Sequence, residues 1–169
     1  MPFNLSTTLS RLFLTVRLMV VPIIKAKVYG NAAEAVIDTA SIDSRSLQNS
    51  RHTLFFALAG PNNDAHAYIE DLIATGVQNF VVLHIPEGCA DKANFLIVEN
   101  TLAAFQQFAA YYRGLFHFPV IGLTGSNGKT IVKEWLNFLL SPDFNVIRSP
   151  KSYNSQVGVP LSIFAINEK

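Results

Sequence analysis

The chain has one cysteine, Cys89, so it can form no internal disulfide, which fits a reducing compartment. It has no basic run longer than a pair, and 13 Lys and Arg nearly balance 12 Asp and Glu for a net charge of +1. That balance argues against a nucleic-acid surface, so any anionic ligand has to be held locally. The four histidines, at positions 52, 66, 84 and 117, lack metal-ligand spacing, and no structural zinc is expected. Long apolar runs are missing too. The best candidate, Leu12 to Ile24, is interrupted by Arg17 and Pro22, whereas a spanning helix needs about 20 apolar residues and a signal peptide an unbroken apolar centre. No membrane partner is expected, and this stretch reads as an amphipathic helix or strand packed on the first domain. Internal repeats and low-complexity tracts are also lacking.

What is present is apolar side chain in quantity. Half of the 169 residues are hydrophobic and only 15% are charged, enough for a sizeable core in one or two small domains. Short β-rich runs at Thr53 to Leu58, Phe80 to His84, Phe95 to Val98 and Val120 to Leu123 alternate with helical patterns. Residues 65 to 75 place Tyr68, Ile69, Leu72 and Ile73 on one face, with Gly76 as a C-terminal cap. Residues 101 to 114 do the same with Leu102, Phe105, Phe108, Ala109 and Tyr112, ending at Gly114. This alternation predicts an α/β fold. Pro119 disfavours helix at the residue before it, which puts a domain boundary between residues 117 and 118. Beyond it, a strand, a glycine-rich turn, a helix over Lys129 to Leu140 and a strand near Asn145 to Ile147 would form a βαβ unit. On that helix Trp135, with Val132, Leu136 and Leu139, reads as core.

The strongest chemical signal is Gly122-Leu123-Thr124-Gly125-Ser126-Asn127-Gly128-Lys129-Thr130, between an apolar strand pattern and an amphipathic helix. Backbone N–H groups at a helix start have no partner within the helix and can point at a phosphate, and glycine lets the backbone come close. Lys129 would reach the β- and γ-phosphates of a nucleotide, and the Thr130 hydroxyl would bind the magnesium that bridges them. The strict phosphate-loop pattern fails by one position, because Leu123 stands where its first glycine belongs and Gly122 lies one residue too early.

The variant Thr124-Gly125-Ser126-Asn127-Gly128-Lys129-Thr130 resembles the signature of the Mur ligases, ATP-dependent enzymes of peptidoglycan precursor synthesis. Lys133-Glu134 looks like the branch that adds D-alanyl-D-alanine to UDP-N-acetylmuramoyl-tripeptide. Tyr153-Asn154-Ser155-Gln156-Val157-Gly158-Val159-Pro160 is similar to the family's Asn-Asn-x-x-Gly-x-Pro segment, with Ser155 in place of a second Asn. That leaves Asn154 as the candidate polar contact near nucleotide or substrate. Ile42-Asp43-Ser44-Arg45, Leu54-Phe55-Phe56-Ala57-Leu58 with Gly60, and Asp64-Ala65-His66 resemble the uridine-nucleotide-binding domain of the D-alanyl-D-alanine-adding and diamino-acid-adding branches.

The resemblance implies a uridine-nucleotide-binding α/β domain over residues 1–117 and the opening of a phosphate-loop ATPase domain over 118–169. It also implies a cytoplasmic location, with ATP and Mg2+ as cofactors and UDP-N-acetylmuramoyl-tripeptide and D-alanyl-D-alanine as substrates; no protein partner is implied. Thr124 through Thr130 would hold phosphate, with Lys129 and Thr130 catalytic and Thr130 on magnesium. Ser44 and Arg45 would meet uracil carbonyls or a pyrophosphate, by hydroxyl and guanidinium fork. His66 opens a helical pattern and fits a cap or a ligand contact equally. Phe55 and Phe56 read as core, one on each face of a strand. The family's further magnesium ligands, modified lysine and dipeptide-binding domain would lie beyond residue 169. Three other readings compete: the diamino-acid-adding branch, a folylpolyglutamate synthetase that shares the loop, and a non-catalytic nucleotide-binding module.

Overall fold

In the computed structural model, the described residues are 7–8, 14–15, 19–30, 35–45, 47, 51–60, 63–149 and 153–166. Most of residues 1–18, where half of the Leu12 to Ile24 stretch falls, lies outside them; its later part forms the short helix α1 (Val21–Ile24). The strands are β1 (Thr7–Thr8), β2 (Leu14–Thr15), β3 (Lys27–Tyr29), β4 (Val36–Ile37), β5 (Thr39–Ser41), β6 (Thr53–Phe56), β7 (Asn79–Val82) and β8 (Asn94–Ile97). A 3-10 turn (Ala65–Tyr68) leads into α2 (Ile69–Ala74), and α3 (Thr101–Gly114), α4 (Lys129–Leu140) and α5 (Gly158–Phe164) follow.

Six strands form one sheet in the order β1-β5-β6-β7-β8-β3, while β2 and β4 pair separately. β5 through β8 run parallel, and the edge strands β1 and β3 run antiparallel to their neighbours. Parallel strands need crossover connections, which cover both faces of the sheet, so their sequences are apolar throughout rather than alternating. β6 meets that requirement: Thr53, Leu54, Phe55 and Phe56 are all buried.

Side-chain alternation along the strands then divides the core in two. On one face Leu54, Phe56, Val81 and Leu96 pack with Val20, with Ile24 from α1 and with Ala104, Phe105, Phe108 and Tyr112 from α3. On the other, Phe55, Phe80 and Phe95 stand side by side across three strands and are covered by Ala65, Ile69 and Leu72. Their rings sit 6.1 and 5.6 Å apart. Phe55 and Phe56 thus point to opposite faces, as period-two alternation requires.

α3 forms because Leu102, Phe105, Phe108, Ala109 and Tyr112 recur at helical spacing. Its N-terminus is capped by the Asn100 side chain, which accepts from the Ala103 N–H at 2.9 Å. In α2 the expected face is only partly buried: Ile69 and Leu72 enter the core, whereas Tyr68 stays exposed and its hydroxyl donates to Asn63 Oδ1 at 3.3 Å. Gly76 takes φ 97° after α2, the left-handed conformation a C-terminal cap needs.

After α3 the structure departs from the sequence expectation. Val120 to Leu123 is coil exposed to solvent, and Asn145 to Ile147 is coil as well, with Val146 and Ile147 half-buried, so no βαβ unit is closed among the described residues. A parallel strand is stable only between partners that take up its N–H and C=O groups, and no described strand flanks either segment. The helix between them is nevertheless formed over the expected residues. Trp135, expected in the core, is 65% exposed, and α4 buries none of its residues. Its apolar side, with Trp135, Phe138 and Leu139, faces solvent.

The chain then returns to the first unit through α5, which the sequence reading did not anticipate. Phe164 is fully buried with ring contacts to Phe105, Phe108 and Tyr112, and the Tyr112 hydroxyl donates to the Ile166 carbonyl at 2.8 Å in a buried hydrogen bond. Residues 158–166 therefore share the core of the unit that precedes residue 118.

These two aromatic residues should respond to truncation in opposite ways. Phe164→Ala removes a ring from a closed cluster and should destabilise the chain by about 3–5 kcal/mol in urea unfolding. Trp135→Ala removes exposed surface and should change stability by no more than about 0.5 kcal/mol.

Candidate functional site

The loop between residues 122 and 130 is shaped by its glycines. Gly125 has φ 141° and Gly128 φ 77°, conformations that side-chain-bearing residues rarely adopt. Gly128 is the residue before α4, and the first intrahelical bond runs from the Val132 N–H to the Gly128 carbonyl at 2.9 Å. The first turn of α4 therefore presents its amides at the mouth of the loop. Ser126, Asn127, Gly128, Lys129, Thr130 and Ile131 line a concavity of about 360 Å3 there.

The charge pattern at this helix start is the reverse of the usual one. α2 carries Glu70 and Asp71 in its first turn, where acidic side chains complement the positive end of the helix dipole. The first turn of α4 has no acidic residue and places Lys129 at its first position. A cation beside the positive end of a helix is locally unfavourable, and an anion bound between them relieves it. The Lys129 ammonium folds back over the loop to donate to the carbonyls of Gly125 and Ser126. Thr124 lies at the start of the same exposed loop.

Lys133 and Glu134 tie α4 to the segment that follows it. Lys133 Nζ donates to the Ser149 carbonyl at 2.8 Å, and the Glu134 carboxylate meets Arg148 at 2.9 Å and Lys133 at 3.4 Å. Asn154 is exposed in the turn before α5. Ser155 has a structural part in that turn, its hydroxyl accepting from the Gly158 N–H at 2.9 Å. Gly158 is needed for close approach, since a Cβ there would lie 2.9 Å from Tyr153 Cβ and 3.0 Å from Tyr153 Cα.

The second group of candidates lies where β5, β6 and β7 end. All three are parallel, so the loops that leave them share one edge of the sheet, the edge at which α/β folds bind ligands. After β5, Asp43 Oδ1 accepts from the Arg45 N–H at 3.1 Å and from Arg45 Nε at 3.0 Å, while the Asp43 N–H donates to Ser41 Oγ at 3.2 Å. The Arg45 side chain is 85% exposed, and its hydrogen bond to Asp43 raises its pKa further. The guanidinium is thus held at its Nε while its outer nitrogens face solvent. Ser44 sits half-buried at the crest of this turn.

After β6, the chain turns through Gly60 and Asn63 to Asp64, which caps the 3-10 turn. The Asp64 carboxylate accepts from the His66 N–H at 3.0 Å and from His66 Nδ1 at 2.6 Å. These bonds, the backbone one first, hold the Asp64 carboxyl below its usual pKa. The opposite ring nitrogen, Nε2, accepts from the Leu83 N–H at 2.9 Å at the end of β7. An acceptor at Nε2 requires the proton on Nδ1, so one tautomer is fixed. His84 stacks on the ring at 4.7 Å. With its side chain 4% exposed and both ring nitrogens engaged inside the protein, His66 is held by the Asp64 cap rather than capping itself, and it braces the loop after β6 against the end of β7. The sequence points to such a brace only through Asp at the cap and His two residues on.

A larger depression of about 460 Å3 lies at the opposite edge, around Tyr29, Gln78 and Asp91 to Asn94. Among the described residues, no three His, Cys, Asp or Glu side chains cluster as a metal would require, and no helix is long and apolar enough to cross a membrane.

Comparison with known proteins gives one consistent relationship. No family model matches the chain. It is 36% identical over 131 residues to the UDP-N-acetylmuramoyl-tripeptide–D-alanyl-D-alanine ligase of Synechocystis, covering 78% of this chain and 28% of that protein. The Bacillus subtilis ligase of the same name is 33% identical over 135 residues, covering 80% and 29%. Among solved structures, a crystal structure of MurF from Acinetobacter baumannii superposes with a TM-score of 0.79 at 27% identity, covering 88% of this chain and 32% of that one. MurF of Thermotoga maritima, solved in complex with ADP, gives 0.64 at 28% identity, covering 74% and 28%. The chain thus spans about three tenths of the length of the curated relatives it matches. Agreement in sequence and fold thus relates this chain to the Mur ligases named for adding D-alanyl-D-alanine to UDP-N-acetylmuramoyl-tripeptide.

Proposed function

We propose that these residues supply the uridine-nucleotide site and the phosphate loop of a cytoplasmic ATP-dependent ligase that joins D-alanyl-D-alanine to UDP-N-acetylmuramoyl-tripeptide. The observation that carries this reading is the start of α4, where two positive-φ glycines and Lys129, with no acidic residue in the first helical turn, border a concavity that would suit a polyphosphate. Residues 1–117 would form the sugar-nucleotide domain and 118–169 the opening of the ATPase domain, with α5 packed back on the first.

In the reaction this implies, the terminal carboxylate of the tripeptide takes the γ-phosphoryl group of ATP, releasing ADP, and the dipeptide amine then displaces phosphate from the acyl phosphate to form the amide. Such chemistry asks the protein mainly for positioning and charge neutralisation. The amides of Ser126 to Thr130 would cradle the phosphates, with Thr124 and Gly125 leading into the cradle. Lys129 would exchange its loop carbonyls for phosphate oxygens. Thr130 lines the same concavity, and its hydroxyl would suit magnesium, a hard cation that favours oxygen ligands and would draw charge from the transferring phosphoryl group.

At the edge where β5, β6 and β7 end, Arg45 would offer its outer nitrogens, and Ser44 its hydroxyl, to the uracil or pyrophosphate of the sugar nucleotide, with His66 holding the neighbouring loop in place. Asn154 would make a polar contact near nucleotide or substrate. The exposed apolar side of α4 would be covered in the assembled ATPase domain by parts of the ligase outside the residues described above.

Two measurements test this reading. In the natural gene product that contains these residues, Lys129→Ala should weaken MgATP binding by about 1.5–3 kcal/mol while leaving the far-ultraviolet circular dichroism unchanged. Full turnover by that variant would refute the loop assignment. For the uridine site, calorimetry with UDP should give binding to the chain itself that weakens in Ser44→Ala and in Arg45→Ala. A folded sample with no heat of binding, or one indifferent to both changes, would remove these residues from the site.

A further inference from the structure

Asn154 stands in a turn whose position is set by the first unit. Gln106, on the exposed side of α3, donates through Nε2 to the Gln156 carbonyl at 3.1 Å, across 50 residues of sequence. Within the turn, Ser155 accepts from the Gly158 N–H at 2.9 Å and from the Val159 N–H, through its carbonyl, at 3.1 Å. Directly after the turn, α5 is fixed by Phe164 among the rings of Phe105, Phe108 and Tyr112, and by the buried bond from Tyr112 to Ile166. α4 buries no residue, and Lys133 and Glu134 link it to Ser149 and Arg148.

We propose that Gln106 is a positioning residue for the nucleotide-dependent step, holding the 153–158 turn so that the sugar-nucleotide unit takes part in presenting Asn154. The proposal rests on the ligase reading above and adds a direction to it. Asn154 travels with α3, so its approach to a nucleotide held at Lys129 depends on how the first unit is placed.

The test uses the natural gene product that contains these residues, with ADP formation measured against MgATP at saturating sugar nucleotide and dipeptide. Gln106→Glu keeps the side chain's size and removes its donor; it should lower kcat/KM for ATP by about two- to tenfold, the range one lost hydrogen bond allows. The KM for the sugar nucleotide should stay unchanged, and Gln106→Lys, which restores a donor, should recover at least half of the loss. In the Asn154→Ala background the same Gln106→Glu change should have no further effect, because a residue acting through Asn154 has nothing left to position. A purely structural Gln106 would lose equally in both backgrounds, and that result overturns the proposal. So does a loss confined to the KM for sugar nucleotide, or no loss at all.

Failure of the ligase reading looks different. The unaltered protein would then bind MgATP without forming ADP in response to the dipeptide. The same cycle of variants, read by the Kd for MgATP, would still decide the role of Gln106. A protein that binds no MgATP refutes both.

Discussion

Burial of the parallel strands on both faces governs where this molecule can do chemistry. No residue of β6 reaches solvent from either side of the sheet, because Leu54 and Phe56 lie under α3 while Phe55 lies under α2. Polar groups can then emerge only where strands end. The loops after β5, β6 and β7 carry Arg45, Asp64 and His84 to a common edge, and hydrogen bonds fasten each loop: Asp43 to the Arg45 backbone, Asp64 to His66, and His66 to the Leu83 amide. The aromatic core and the ordered edge are thus one construction, since the strands that bury the rings are the strands whose ends are braced.

The two candidate sites reach their order by different means. At the sheet edge, side chains hold side chains and backbone, so the geometry depends on the packed unit beneath it. At the start of α4 the shape comes from backbone torsions that glycine alone adopts readily, and it persists although the helix behind it buries nothing. The turn at Tyr153 to Gly158 combines both, with a glycine that admits no Cβ and a helix seated in the first core.

Much of this was legible in the sequence wherever a residue's own periodicity decides its fate. Phe105, Phe108 and Tyr112 recur at helical spacing and are buried, α3 and α4 begin and end at the residues expected, and Phe55 and Phe56 fall on opposite faces. Hydrophobicity could not reveal whether cover exists. Val120 to Leu123 and Trp135 have the composition of a core, but burying them takes neighbouring strands that the described residues do not supply. α5 was hidden because Gly158 and Pro160 punctuate its sequence, although proline in a first helical turn loses no intrahelical bond. Asp64 two residues before His66 hinted at one half of its role, but the bond to Leu83 left no sign, since it is made by a backbone amide that any residue but proline would provide.

Trp135 is the chain's sole tryptophan, and it stands in water on the helix that opens with Lys129. Its indole emission therefore reports on one helix face without any label. Fluorescence from the unaccompanied chain should sit at the long-wavelength, readily quenched end characteristic of a hydrated indole, whatever the state of the sheet core. Anything that lays an apolar surface over α4 would move that emission toward the blue and shield it from iodide.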